Sequence, residues 1–317
     1  IPPLEFQTAL PSPGEDEAER SARLRRNIAG IVQEWKGKHA PAILPLPERI
    51  PLSELLQQWD RTSGPSGALP YEVPVGLQSD DLEPFLLNLK EGPNFIVGSP
   101  MEGGKTSFLM SWIISLAYYT SPDQLEVYTI DTRYGGGGLS RLRHLPHVKA
   151  AAESEEEMGP LVQKVYDIVQ QRNKEGDDPE LLLIIDDADM LSKQLNDFMI
   201  KDQLSAIVRL GRDRNVHVVL SGVPSDFPTF GVDWFNDVKA SQSGMLFGTL
   251  DSNDLSFFRI PYSEANAAAG GLKVLPPGQG YYVRRKFTRI KAAIPFSEQV
   301  SCEDWITKIR DRWHVVV

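Results

Sequence analysis

Residues 94–106 read NFIVGSPMEGGKT: a short apolar run breaks into a glycine-bearing loop, and Gly104-Lys105-Thr106 opens an apolar helix. Few local patterns restrict a fold as much. Amides of such a turn and of the helix N-terminus can cradle phosphates. The lysine can reach their outer oxygens, and the threonine hydroxyl can hold Mg2+. The usual spacing is G-x-x-x-x-G-K-[ST], but position 99 is Ser99, and Gly98 comes one residue early, beside Pro100. The first glycine normally supplies a backbone angle that side chains disfavour, so Ser99 and Pro100 predict a stiffer loop of altered shape. The residues expected to line a nucleotide are Gly98, Ser99, Pro100, Met101, Glu102, Gly103, Gly104, Lys105, Thr106 and Ser107.

A second segment points the same way. Residues 181–190, LLLIIDDADM, run from continuous apolar residues into two carboxylates. A strand buried on both faces reads as such a run, and open α/β sheets place their ligands at its C-terminal end. Asp186 is therefore expected, with Thr106, at a Mg2+ site. Asp187 follows at the position of a catalytic base. A glutamate is usual there, and the aspartate is one methylene shorter. A base must come within hydrogen-bond reach of its water, so the shortening predicts slow hydrolysis.

Further strands alternate with helices: LEVYTIDT (125–132), ending in Asp131, and NVHVVLSGV (215–223), with helices over 105–120, 153–172 and 198–212. That order predicts an α/β fold, a mostly parallel central sheet with helices on both faces. YEVPVGL, PFLLNLK and NFIVG (71–98) read as edge strands leading into it, and GQGYYVRR and FTRIKAAI as a late hairpin before a helix over 302–313. Ahead of the sheet, residues 15–36 predict an amphipathic helix with Leu24, Ile28, Ile31, Val32 and Trp35 on one face. The next segment, HAPAILPLPERIPLSELLQQW, carries four prolines, which forbid a continuous helix. It reads as an extended strap that buries Ile43, Leu44, Leu46 and Ile50. The expected division is 1–65 for helix and strap and 66–317 for the nucleotide-binding domain.

Composition narrows the function. At 41% hydrophobic and 24% charged residues this is an ordinary globular chain, with no apolar stretch of membrane-span length. It begins at Ile1, which reads as a piece of something longer. One cysteine, Cys302, excludes an internal disulfide and a cysteine-based zinc site. His144 and His147 flank Pro146 without ligand partners nearby and read as loop residues. The net charge of −10 opposes a nucleic-acid partner, which calls for a basic stripe.

Together, IVGSPMEGGKT, VYTIDTRYGGGGLSRLRHLPHV, LLLIIDDADML, RLGRDRNVHVVLSG and LPPGQGYYV resemble the FtsK/SpoIIIE-type ATPases. The strap, the GGG-L…LPHV stretch and the PPGQG turn bring the chain nearer the EssC/EccC ATPases of type VII secretion. That resemblance implies a RecA/FtsK-like P-loop fold, ATP and Mg2+ as cofactors, and a bacterial protein. It further implies one module, the last, among several in a chain anchored at the cytoplasmic face of the membrane through a missing N-terminal part. Other ATPase modules of the same chain, self-association into rings and small helical WXG-type substrates are the implied partners.

Three departures bear on activity: the displaced loop glycine, Asp187 for glutamate, and LSGVPS where relatives carry a polar A-T-Q-R sensor, leaving Ser221 as the polar candidate. Phosphoryl transfer rests on positioned groups, so these departures predict a degenerate module that binds ATP and hydrolyses it weakly or not at all. Two alternatives stay open. One is a competent motor that takes an arginine from a neighbour, with Arg172, Arg209, Arg212 and Arg214 as the matching candidates in this chain. The other is an interaction module docking a peptide on the Gly135–Gly138 loop and the helix after it.

Overall fold

The computed structural model describes residues 9–37, 45–62, 70–92, 94–133, 137–194, 197–228 and 232–315. The chain divides into two compact units, Ile1–Pro45 and Leu46–Val317. In the first, α1 (Glu17–Glu34) starts where Asp16 caps it, accepting the Glu19 amide at 2.7 Å, with Glu17 and Glu19 favourably placed in the first turn. No basic residue occupies its last turn. The expected apolar face exists, and Ile28, Ile31, Val32 and Trp35 on it are each at least half exposed.

The larger unit begins inside the proline-rich strap. Ile43 and Leu44 lie outside the described residues, and Leu46 is half-buried. Ile50 is buried, and Pro51 bridges to Ile294, with the Leu52 amide on the Ile294 carbonyl at 2.9 Å. Helix α2 (Leu52–Thr62) then buries Leu52, Leu55, Leu56 and Trp59, spaced along one helical face, against the sheet. The strap after Pro45 thus shares a core with the sheet, which is why the division falls at Pro45 rather than at residue 65.

Among the described residues, ten strands form one sheet. In chain order they are β1 (Glu72–Gln78), β2 (Pro84–Asn88), β3 (Asn94–Gly98), β4 (Leu125–Asp131), β5 (Val148–Ala152), β6 (Glu180–Asp186), β7 (Val216–Gly222), β8 (Gly244–Phe247), β9 (Gln279–Val283) and β10 (Phe287–Ala292). The spatial order is β2-β1-β10-β9-β8-β3-β7-β6-β4-β5. The block from β8 to β5 is parallel, and β9, β10, β1 and β2 extend it antiparallel. β2 is at the edge as expected, but β1 is one strand in, paired with β2 on one side and β10 on the other. β3 is not at the edge either: it lies between β8 and β7 with all five residues buried, as its Phe95-Ile96-Val97 run demands.

Alternation along the strands separates two cores. Phe95 and Val97 of β3 and Leu182 and Ile184 of β6 face α2, α3 (Lys105–Tyr119) and α10 (Cys302–Trp313). Ile96, Leu181, Leu183 and Ile185 face α4 (Glu155–Gln171), α6 (Phe198–Gly211), α7 (Asp233–Lys239), α8 (Ser252–Phe257) and α9 (Tyr262–Ala268). The short α5 (Ala188–Gln194) follows β6. β3 and β6 are separated by β7, so the loop after β3 and the carboxylates after β6 lie on either side of Ser221 at the end of β7.

His147 is fully buried ahead of β5, its Nε2 donating to the Thr120 carbonyl at 2.7 Å. Burial pushes its pKa down to about 4, so this histidine is a structural pin. Because the folded pKa lies below the ordinary 6.5, its stabilisation is complete above pH 6.5 and is lost as pH falls toward 4. The loss amounts to about 3 kcal/mol. His147→Gln should flatten the acid limb of stability over that window, read as urea midpoints at pH 7 and pH 4.5. Parallel curves for the two proteins would refute it.

Candidate functional site

The loop before Lys105 keeps its shape by means other than the usual glycine. Ser99 is buried and outside the left-handed region; Glu102 and Gly104 carry the positive φ values, 60° and 107°. Gly98 ends β3, and a Cβ there would stand 2.6 Å from the Phe258 ring, so packing rather than a turn requires this glycine. A Cβ on Gly103 would meet Ser99 Cβ at 2.8 Å: the Ser99 side chain fills the space left by the missing hydrogen-only residue. The Gly103 amide donates to Pro100 O at 3.2 Å and closes the turn.

The PPGQG segment backs this loop. Gly278 N donates to Gly103 O at 3.0 Å, and a Cβ on Gly104 would approach Gly278 N to 3.1 Å. Ala292 N in turn donates to Gly278 O at 2.8 Å, and Lys291 Nζ to Pro277 O at 2.8 Å. The β9–β10 hairpin is thereby fastened to the back of the loop. In front, α3 starts at Gly104 without a side-chain cap, and among the described residues the amides of Lys105, Thr106 and Ser107 donate to no acceptor. Such a helix start suits an anion.

The expected acidic residues converge on the same place. Thr106 Oγ1 donates to Asp186 Oδ2 at 2.7 Å. Ser221 Oγ donates to Asp186 Oδ1 and accepts the Asp187 amide at 3.0 Å. Lys105 Nζ lies 3.3 Å from Asp187 Oδ1. Asp187 has φ 55° and is buried, so the backbone itself twists its carboxylate toward the lysine. Asp186 is buried too; burial first, then the neighbouring Asp187, raises its pKa to about 6, against the Ser221 and Thr106 hydroxyls, which lower it. Asp189 is raised in the same direction by burial and by Asp187.

A Mg2+–ATP pair fits this donor set. Lys105 and the opening amides of α3 would hold phosphate oxygens, while Thr106 and Asp186 offer adjacent oxygens of the kind Mg2+ accepts beside retained waters. Pro100, Met101, Glu102, Gly103 and Ser107 frame the loop, with Met101 and Glu102 exposed at its tip.

Other residues fall elsewhere. Arg172 is buried, its guanidinium on the carbonyls of Arg214 and Asn215 at 3.1 Å each, so it is a structural arginine and cannot serve a neighbour's site. Arg209 pairs with Asp237 at 2.7 Å. With Arg212 and Arg214 it precedes β7, at the end of the sheet away from Lys105. Gly135 and Gly136 of the expected docking loop lie outside the described residues. Gly138 is described, and a Cβ on it would stand 2.3 Å from Asp131 Oδ2.

Two residues of the site were not read from the sequence. Thr132 Oγ1 donates to the carbonyls of Asp186 (3.1 Å) and Asp187 (3.0 Å), pinning the end of β4 to the end of β6. The Arg133 guanidinium embraces Asp187, Nε on one oxygen and a terminal nitrogen on the other at 3.3 Å. Neither carries a periodic or spacing signal.

The family model described as FtsK/SpoIIIE family matches residues 60–175, which includes the loop and α3 and stops short of Asp186. The type VII secretion system protein EssC of Staphylococcus aureus (strain MRSA252) is 27% identical over 280 residues, covering 81% of this chain. The chain spans only 18% of that relative. Among solved structures, the cytoplasmic domain of the Thermomonospora curvata type VII secretion ATPase EccC superposes with a TM-score of 0.66 at 20% identity. That match covers 92% of this chain and 33% of the other. ATPases 2 and 3 of the same EccC, in complex with a signal sequence peptide, superpose with a TM-score of 0.64 at 19% identity, covering 89% and 50%. The structural matches establish the fold alone, a P-loop ATPase-like arrangement with a mostly parallel sheet. Residues 60–175 thus match the FtsK/SpoIIIE family model, and the homologues found are EssC and EccC proteins of type VII secretion.

Proposed function

We propose that this chain is an ATP- and Mg2+-binding module of a type VII secretion ATPase whose own site hydrolyses weakly, and which serves assembly and recognition of secreted proteins. The observation that carries the reading is the convergence of Lys105, Thr106, Asp186 and Asp187 at the start of α3. Lys105 and the α3 amides bind and orient the phosphates, and Thr106 and Asp186 hold the cation. Bound there, Mg2+ would neutralise phosphate charge. Asp187, at the base position, spends its carboxylate on Lys105 and Arg133. A carboxylate so engaged is a poor acceptor for a water proton. Ser221, at the sensor position, is spent on Asp186.

The test is a titration of the protein with a fluorescent ATP analogue, with and without Mg2+, beside a turnover assay. Saturable, Mg2+-dependent binding with turnover near background is expected. Robust turnover abolished by Asp187→Asn would instead favour a competent motor, completed by a neighbouring module.

Partner recognition is supported by the EccC complex with a signal sequence peptide and by a feature of this chain. At the sheet end away from Lys105 lies a cavity of about 970 Å3, walled by Phe257, Phe258 and Phe287, with Lys239, Arg259, Arg285 and Lys286 outnumbering Glu264 and an Arg284–Glu91 pair in its lining. Apolar walls with cations at the edge suit an amphipathic acidic segment. Among the described residues no helix is long and apolar enough to cross a membrane. By the family resemblance we propose that this module lies at the cytoplasmic face, with membrane attachment in another part of the parent protein. The family resemblance brings self-association into rings.

A further inference from the structure

One carboxylate, Asp187, holds two cations. Lys105 approaches it from the start of α3 and Arg133 from the turn after β4. That turn is built, not incidental: the Arg133 amide donates to Asp131 Oδ1 at 3.1 Å, and Thr132 pins it to the last carbonyls of β6. Asp187 is almost fully buried, whereas the Arg133 side chain is 53% exposed, so the guanidinium reaches in from solvent over the site.

The local charge makes this arginine consequential. Asp131, Asp186, Asp187 and Asp189 are all buried around the site. Without Arg133, Lys105 would be the single cation facing them among the residues described there. An anion is poorly received by such a cluster. A guanidinium fork matches a phosphate as well as it matches a carboxylate, in the same two-point geometry.

Resting on the nucleotide-binding reading, we infer that Arg133 is a second phosphate-binding cation of this site, and that Asp187 is a built-in anion that competes with phosphate for both Arg133 and Lys105. The exchange moves no covalent bond. It trades charge-assisted hydrogen bonds on a tethered carboxylate for similar ones on an incoming phosphate, so the apparent affinity for nucleotide is set against Asp187. Asp187 thereby tunes binding, separately from any part in proton transfer.

The two variants should move affinity in opposite directions. Arg133→Ala should weaken Mg2+–ATP binding about tenfold, and Arg133→Lys should restore part of it, since a point charge replaces the fork. Asp187→Asn should tighten binding by a similar factor, because the competitor is gone while the shape is kept. The readout is the Kd from fluorescent-ATP titration, with urea midpoints to confirm that each variant is folded. Unchanged affinity in Arg133→Ala, or weaker binding in Asp187→Asn, would overturn the inference. A wild-type protein that binds no nucleotide while Asp187→Asn binds would uphold it and remove the nucleotide-binding reading for the natural chain. No binding by either protein would remove both.

Discussion

Lys105→Ala should lower ATP affinity by about 10- to 100-fold. That is the expected effect of losing one charge-assisted phosphate contact in a buried place. Lys105 is 5% exposed, its ammonium is 3.3 Å from Asp187, and the first amides of α3 follow it directly. No other lysine lies in the loop or the first turn of α3. The variant also withdraws one of two cations from Asp187, so some loss of stability is expected. Arg133 limits it by keeping its two-point grip. Calorimetric titration at a temperature well below the unfolding midpoint separates the two effects. Wild-type affinity in Lys105→Ala would mean that the loop does not receive phosphate, whatever its sequence resembles.

What the sequence disclosed followed from length and periodicity. β6 is a continuous apolar run, and β3 and β7 are short, largely apolar runs rich in β-branched residues, so each reads as a strand, and α3 opens at a glycine-lysine pair. The signal fails where elements are short or half-covered. β8 is the four residues GMLF, and β5, VKAAA, lies at the sheet edge with little apolar surface to mark it. β3 was misplaced at the edge because the chain order, which shows its neighbours 93 and earlier, does not show that β7 and β8 arrive later to flank it.

At the site, the displaced glycine looked like damage to the loop. The backbone instead carries its left-handed angles at Glu102 and Gly104, and Ser99 serves as filling beneath Gly103. The PPGQG turn was legible as a feature but not as a support, since its place behind Gly103 exists only once the β9–β10 hairpin has folded back. Arg133 was illegible altogether. A single arginine beside a glycine run gains meaning only when β4 and β6 lie side by side and Asp187 adopts a positive φ.

Asp186→Asn should stabilise the fold at alkaline pH while removing Mg2+-dependent nucleotide binding. Asp186 is buried, and burial together with Asp187 and Asp131 lifts its pKa from 3.8 to about 6. An acid whose folded pKa exceeds its unfolded one contributes stability below the unfolded value, and that contribution is lost as pH rises through the folded value. The window therefore runs from about pH 4 to pH 6, and a shift of about two units corresponds to about 3 kcal/mol missing above it. Asparagine preserves the volume and can accept from Ser221 through its one oxygen, while its NH2 group faces Thr106 Oγ1, which then accepts instead of donating, so both contacts can persist without the charge. Urea midpoints should rise relative to wild type at pH 8 and converge with it near pH 4, opposite in sense to the His147 effect over nearly the same range. Equal midpoints at pH 8 would mean that Asp186 is not strained by its charge. A rise there, with nucleotide affinity lost, would show the chain retaining a destabilising carboxylate where only a cation beside Thr106 could offset it.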